Sequence, residues 1–151
     1  MPDKSAFFDT SALVPLCIFQ PASRTVRRAY RGFANCIVAW STLIEATGAV
    51  YRAERTAGLV QRDRELALQS LRQLQQRWVE ISPSDRVRDI ALDVLDNYDL
   101  RAADAIQLAS ALEWCSGKPR NRHFVCLDRQ LAATARTMGF TVIGMPETAR
   151  R

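Results

Sequence analysis

Four acidic residues stand where a predicted strand ends or a predicted helix begins. Asp9 follows the apolar run AFF, Asp128 follows HFVCL, and Glu45 and Asp104 fall in the first turns of helical patterns. Parallel strands of an open α/β sheet place ligands at their carboxyl ends, so we expect these carboxylates to converge there. Each acid alone also fits a purely structural role, as a helix cap or a first-turn acid. Glu45 follows Thr42 at the spacing of a capping box.

Converging carboxylates predict a bound divalent cation. Carboxylates brought within a few ångströms repel one another strongly unless a cation offsets their charge. Oxygen ligands favour Mg²⁺ or Mn²⁺. The chain has one histidine, His123, and no C-x-x-C pair, which argues against a zinc site of the usual nitrogen and sulfur type. No histidine is placed as a general base either, so hydrolysis at this site would need the cation.

The elements that must position these acids alternate along the chain. Apolar runs predict strands over 6–8, 36–40, 79–81, 123–127 and 140–143, and the stretches between them show helical periodicity. Such alternation predicts a mainly parallel sheet with helices on both faces. Residues 1–145 are expected to form one domain and residues 146–151 a C-terminal tail.

Cysteines and surface apolar residues allow two further expectations. The four cysteines have apolar neighbours and are predicted to be buried free thiols. The helices over 43–78 carry apolar residues that either cover a partner surface or pack within the chain. These residues are Leu59, Val60, Leu66, Leu71 and Leu74.

The positive charge of the chain is concentrated in its first half. The net charge is +5, with ten arginines against four acids over 24–77. This predicts either a surface for an anionic partner or a solvated helix face. The candidates for phosphate contacts are Arg24, Arg27, Arg28, Arg31, Arg101 and Arg129. No apolar run approaches the ~20 residues of a membrane span, and the first residues do not resemble a secretory leader, so we expect a cytoplasmic protein without a membrane partner.

Four sequence blocks carry a family resemblance. FFDTSALV, STLIEATGAV, LRAADAIQLASAL and FVCLDRQLAATARTMGFTVI surround the four acids in order, and they resemble the signature blocks of PIN-domain proteins. The resemblance is greatest to VapC-type toxins of type II toxin–antitoxin systems, and it extends over essentially the whole chain.

The resemblance implies a three-layer α/β/α fold with a parallel five-stranded sheet of order 3-2-1-4-5. It implies an endoribonuclease that depends on Mg²⁺ or Mn²⁺ and leaves a 5′-phosphate and a 3′-hydroxyl. It further implies a homodimer neutralised by a VapB-type antitoxin, with DNA contacted only through that antitoxin.

The same resemblance assigns roles to individual residues. Asp9 and Asp104 match the principal metal ligands, and Glu45 and Asp128 match the remaining ones. Thr10 or Ser11 matches the position that supports the site by hydrogen bonding. One position departs from the family pattern, because Gln107 stands where many relatives have an aromatic residue or histidine.

Two other functions remain open from the sequence. Asp9 could be the phosphorylated nucleophile of a haloacid-dehalogenase-like phosphatase, although those enzymes have a second aspartate where this chain has Ser11. The chain could also be a weakly catalytic or non-catalytic PIN module that acts by binding its antitoxin and, through it, DNA, since a fold by itself does not fix an activity.

Overall fold

A computed structural model describes residues 4–145 of the 151-residue chain. The predicted tail, 146–151, and the first three residues of the predicted domain lie outside the described residues, so that division of the chain stays a prediction. The elements in chain order are β1 (Ser5–Phe8), α1 (Thr10–Cys17), α2 (Ser23–Gly32), β2 (Asn35–Ala39), α3 (Thr42–Thr56), α4 (Gln61–Gln75), β3 (Val79–Ile81), α5 (Asp85–Asn97), α6 (Ala102–Trp114), β4 (His123–Cys126), α7 (Arg129–Met138) and β5 (Thr141–Gly144).

The five strands form one parallel sheet in the order β3-β2-β1-β4-β5, as predicted. Strands β1 and β4 are neighbours in the middle of the sheet, so the segments that follow them begin side by side at its carboxyl edge. Strand β5 begins one residue later than the sequence pattern predicts. Gly139 ends α7 at a φ of 113°, and the Phe140 N–H still bonds back to the carbonyl of Ala135, so Phe140 belongs to the turn.

Both faces of the sheet are buried beneath helices. Alternate residues of β1 point to opposite sides: Phe7 belongs to one apolar cluster, and Ala6 and Phe8 belong to the other. The cluster around Phe7 includes Phe124 of β4, whose ring stacks on Phe7 with centroids 5.4 Å apart. The first cluster contains residues of α5, α6 and α7, and the second contains residues of α1, α2, α3 and α4, which makes the fold the expected three-layer α/β/α arrangement.

Some apolar residues of the α3–α4 hairpin pack within the chain, and others stay exposed and available to a partner surface. Leu71 is buried and Leu74 is half-buried against the core. Leu59 is half-buried, whereas Val60 and Leu66 remain exposed. Ordinary packing therefore accounts for Leu71 and Leu74 but not for Val60 and Leu66.

All four cysteines are free thiols, and Cys36, Cys115 and Cys126 are buried as predicted. The predicted burial is wrong for Cys17, which is only half-buried. Between residues 4 and 145, no helix has both the length and the apolar character needed to cross a bilayer.

Candidate metal centre

Asp9 lies at the carboxyl end of β1 and caps the N-terminus of α1. Its backbone N–H donates to the Val125 carbonyl of β4 at 3.0 Å, which fixes it between the two central strands. Its Oδ2 accepts hydrogen bonds from the Ser11 hydroxyl at 2.5 Å and from the Ser11 N–H at 3.2 Å. The carboxylate is only 3% exposed. The cap and the proposed ligand role therefore use the same side chain and do not exclude each other.

Burial raises the pKa of Asp9 to about 6. The two hydrogen bonds from Ser11 oppose that rise, and repulsion from Asp104 and Glu45 adds to it. A carboxyl group held this far above its ordinary pKa of 3.8 is ionised at neutral pH against a free-energy penalty. A nearby cation would remove that penalty.

Glu45 projects from the first turn of α3 and accepts hydrogen bonds from a residue of α1 and from the N-cap residue of its own helix. Its Oε2 accepts from the Thr10 hydroxyl at 3.0 Å, and its Oε1 accepts from the Ser41 hydroxyl at 2.9 Å. The capping-box interpretation is wrong, because the helix begins at Thr42 with Ser41 as N-cap, and Ser41 makes no side-chain capping bond. The Ser41 hydroxyl instead holds the Glu45 carboxylate.

Gln107 connects three helices beneath the acids. It is fully buried, and its Nε2 lies 3.0 Å from the hydroxyls of Thr10 and Thr42 and 3.3 Å from both oxygens of Glu45. An amide nitrogen carries two hydrogens, so it is shared among four acceptors. Its Oε1 is buried and has no hydrogen-bond partner in the described part of the chain. The side chain is thus oriented with its donor group toward Glu45.

Asp104 occupies the first turn of α6, close enough to Asp128, which follows β4, for the two carboxylates to repel each other. Burial raises the pKa of Asp104, and repulsion from Asp128 and Glu45 adds to the rise, whereas the charge of Arg101 lowers it. Asp128 follows β4 and caps α7 by accepting from the Leu131 N–H at 2.8 Å. Asp128 therefore joins the group of acids through Asp104.

Both residues that the sequence offered as supports contact an acid. Thr10 bonds to Glu45, as described above, and Ser11 bonds to Asp9. The Ser11 hydroxyl also accepts the Leu127 N–H at 2.9 Å, which ties it to the segment after β4. The Cys126 thiol lies 3.6 Å from Asp9 Oδ2 within the buried layer beneath it.

The four acids are electrostatic neighbours, and protein donors hold Asp9, Glu45 and Asp128. Among residues 4–145, no group of three or more histidine, cysteine or acidic side chains is already arranged closely enough to hold a metal ion. Mg²⁺ is ordinarily bound by one or two carboxylates and keeps several of its waters, so such a cage is not required. The all-oxygen donor set and the raised pKa values of Asp9 and Asp104 fit a hard divalent cation.

The candidate phosphate-binding arginines fall into two groups. Arg101 is the N-cap residue of α6 and Arg129 the first residue of α7, so both flank the acids, and both are exposed. The other four lie on α2 and line a different cavity together with Phe19: Arg24, Arg27, Arg28 and Arg31.

Sequence reasoning did not assign a role to four residues of the site. Gln107 was noted only as a departure from a family pattern, and Ser41, Thr42 and Cys126 were not singled out for the site. Gln107 lies three residues after Asp104 on α6, the spacing of neighbours on one helix face, and this was the available signal.

The sheet order defines a doubly wound α/β protein, and the acids lie at the carboxyl ends of its strands, the edge where such proteins bind ligands. The PIN domain family model matches residues 6–115, which is more than half of the chain. The chain therefore belongs to the PIN domain family. The match includes Asp9, Glu45 and Asp104, and Asp128 lies beyond it. The family is not that of the haloacid-dehalogenase-like phosphatases.

Solved structures share the fold at low sequence identity. One is a toxin-antitoxin complex from Klebsiella pneumoniae, with 17% identity, coverage of 84% of this chain and 90% of that chain, and a TM-score of 0.61. Another is PAE2754 from Pyrobaculum aerophilum, with 20% identity, coverage of 94% and 92%, and a TM-score of 0.57. No curated protein matches the sequence. At these identities the likeness concerns the fold.

Proposed function

We propose that the chain is a divalent-metal-dependent endoribonuclease, the toxin of a VapBC-type toxin–antitoxin pair. PIN domains are generally nucleases, so the family supports hydrolysis of a nucleic acid. The observation that carries the metal-dependent part is the cluster at the sheet edge. There, Asp9 is buried and has a raised pKa, and both Asp104 and Glu45 repel it. Asp128 in turn repels Asp104. Such a cluster is stabilised by a cation and destabilised without one.

The residues divide into ligands, supports and phosphate contacts. Asp9 and Asp104 would hold the cation, with Glu45 and Asp128 completing the site. When bound, a Mg²⁺ or Mn²⁺ ion offsets charge on the scissile phosphate and provides an activated water. Ser11 orients Asp9, and Gln107 orients Glu45, because each donates a hydrogen bond to that carboxylate.

Arg101 and Arg129 would contact the substrate at the rim of this site. Both are exposed beside the acids, and guanidinium groups bind phosphate oxygens through paired N–H donors. Their charge also offsets part of the repulsion that four carboxylates exert on an incoming phosphate. We therefore assign them to the phosphates nearest the cleaved bond.

An RNA cleavage assay with Mg²⁺ or Mn²⁺ tests the proposal. We expect the wild type to cut single-stranded RNA to products with a 5′-phosphate, and we expect EDTA to abolish the cut. Asp9→Asn and Asp104→Asn should lose activity by at least two orders of magnitude, whereas Asp96→Asn, on the exposed surface of α5, should retain it. Equal activity in Asp9→Asn, Asp104→Asn and the wild type would remove the catalytic assignment.

We propose that the chain forms a homodimer in which a second copy buries an apolar surface beside the acids. A groove of about 340 Å³ lies between the end of β2, α5 and α6, and its lining includes Trp40, Leu92, Leu95 and Ile106. These four side chains are 38–58% exposed. Contiguous apolar surface of this kind is typical of an interface. Light scattering should give a dimer for the wild type and a monomer for Leu92→Glu.

A VapB-type antitoxin is the proposed partner protein, and the cytoplasm is the proposed location. Support comes from the family and from the toxin-antitoxin complex that shares the fold. A short neighbouring reading frame that encodes a DNA-binding N-terminus, and whose product blocks RNA cleavage, would support the pairing. A product that binds DNA with this chain while the chain cleaves no RNA would instead support the non-catalytic module.

A further inference from the structure

Helix α2 presents an exposed face made of arginines. Arg24, Arg27, Arg28 and Arg31 follow the i, i+3, i+4, i+7 spacing of one helix face, and the opposite face buries Val26 and Ala29. The helix contains no acidic residue. The ion pairs observed between residues 4 and 145 involve Arg64, Arg86 and Arg88, and none involves these four. The guanidinium groups of α2 thus face solvent without a carboxylate partner in the described structure.

Phe19 lies beside this arginine face. It lines the same cavity, of about 470 Å³, and is 86% exposed, more than any other large apolar side chain in the described structure. The turn that carries it is held in place by Ser23, whose hydroxyl accepts the Gln20 N–H at 2.8 Å and donates to the Pro15 carbonyl at 2.7 Å. The exposed ring is therefore presented by an ordered turn.

The acidic edge gives a separate reason to look for positive charge elsewhere. Four carboxylates repel the phosphates of any strand that approaches them, and only Arg101 and Arg129 flank the acids among the candidate arginines. Affinity for a polyanion must then come largely from a second surface. An aromatic side chain among basic ones is the combination by which proteins hold single-stranded nucleic acid, because bases stack on the ring while cations contact phosphates.

Chain geometry limits how far this surface lies from the acids. Asp9 and Ile18 cap the two ends of α1 and are nine residues apart, which for a helix separates their Cα atoms by about 14 Å. One more residue adds at most about 3.8 Å, so the Cα atoms of Asp9 and Phe19 are no more than about 18 Å apart. A stacked strand advances about 3.4 Å per nucleotide, so at most about five nucleotides cover this distance.

We propose that Phe19 and the arginine face of α2 bind single-stranded RNA within about five nucleotides of the cleaved bond. A base stacks on Phe19, and successive phosphates contact Arg24, Arg27, Arg28 and Arg31. This rests on the proposed ribonuclease function and adds a subsite to it. A protein partner fits the arginine face less well, because its cavity contains no apolar side chain besides Phe19 to receive the anchors that dominate protein interfaces. The apolar side chains on the other side of Phe19, Ile18, Leu59 and Leu66, line a separate cavity.

Binding of a fluorescent 12-nucleotide oligouridylate in EDTA, followed by anisotropy, tests the subsite without catalysis. Phe19→Ala should raise the dissociation constant about tenfold, and Phe19→Trp should restore binding. The association constant falls as the salt concentration rises, and each phosphate contact contributes about 0.7 to the steepness of that log–log dependence. Replacing the four α2 arginines by glutamine should therefore make it shallower by about 3. The matched control replaces four exposed arginines of α3 and α4 by glutamine: Arg52, Arg55, Arg62 and Arg72.

Cleavage kinetics then separate this inference from the proposed function. Phe19→Ala should raise KM for the 12-nucleotide substrate at unchanged kcat and leave cleavage of a 4-nucleotide substrate unaltered, because the short strand does not reach Phe19. If wild type binds the oligonucleotide through this surface but never cleaves it, the proposed function fails and the subsite stands. If the Phe19 and α2 variants bind RNA like the control, or lose affinity only for an oligoglutamate peptide, the subsite is refuted.

Discussion

Replacing Gln107 tests the arrangement beneath the acids. Gln107→Met removes Nε2 and with it the hydrogen bonds that its two hydrogens donate to Glu45 and to a threonine hydroxyl. The loss of one bond to a charged group and one to a neutral group costs about 2 to 4.5 kcal/mol. Methionine also removes the buried, unpartnered Oε1, which returns about 1 to 3 kcal/mol. At the middle of each range, the expected net loss in the free energy of unfolding is about 1 kcal/mol.

Gln107→Glu should be much more damaging at neutral pH. It places a second carboxylate about as close to Glu45 as the 3.3 Å contacts of the amide nitrogen. At an effective dielectric constant of about 20, two charges at that distance repel by about 5 kcal/mol. The new carboxyl group would escape by holding its proton, which raises its pKa in the folded state. Stability should fall by more than about 3 kcal/mol at pH 7.5 and partly recover at pH 5.5, where protonation is easier.

Urea unfolding of metal-free protein, followed by circular dichroism at both pH values, measures these differences. Gln69 on the exposed side of α4 is the matched control, and its Met and Glu variants should unfold like the wild type. The reasoning is refuted if Gln107→Glu is as stable as wild type at pH 7.5. It is also refuted if Gln107→Met loses as much stability as Gln107→Glu, since size rather than charge would then decide the outcome.

Three further predictions concern Asp9 and its support. The pKa of Asp9 rises from 3.8 to about 6 on folding, so the folded state binds the proton more tightly. Metal-free stability should therefore fall as the pH rises from about 4 to 6 and level off above that. Asp9→Asn should reduce this slope, of which the raised pKa of Asp104 keeps a part, and should gain up to about 3 kcal/mol at pH 7. Saturating Mn²⁺ should raise Tm more at pH 7.5 than at pH 5.5, where the ion must displace a proton; an equal rise would contradict binding at Asp9. Ser11→Ala should lose about 2 kcal/mol in urea unfolding because the Leu127 N–H loses its acceptor, and Ser70→Ala should lose little.

Much of the fold was predictable because its signals are local. The five strands are short apolar runs bounded by polar or helical sequence, and the structure has all five within a residue or two of the predicted ends. Asp9 and Asp128 were identifiable because each directly follows such a run. The parallel order followed from the family resemblance and not from the runs themselves, since periodicity does not specify which strands pair.

The sequence by itself determined which carboxylates reach the carboxyl edge of the sheet, because a strand end and a first helical turn are set by neighbouring residues. Only the tertiary structure decided how those carboxylates are held. Thr10 and Glu45 are separated by 35 positions, and Gln107 and Thr10 by 97. Hydrogen bonds over such separations depend on how helices pack on the sheet, and the same packing made Gln107 a partner of Glu45. The Ser41 hydroxyl reaches Glu45 locally, from the N-cap of the same helix, in place of a capping box.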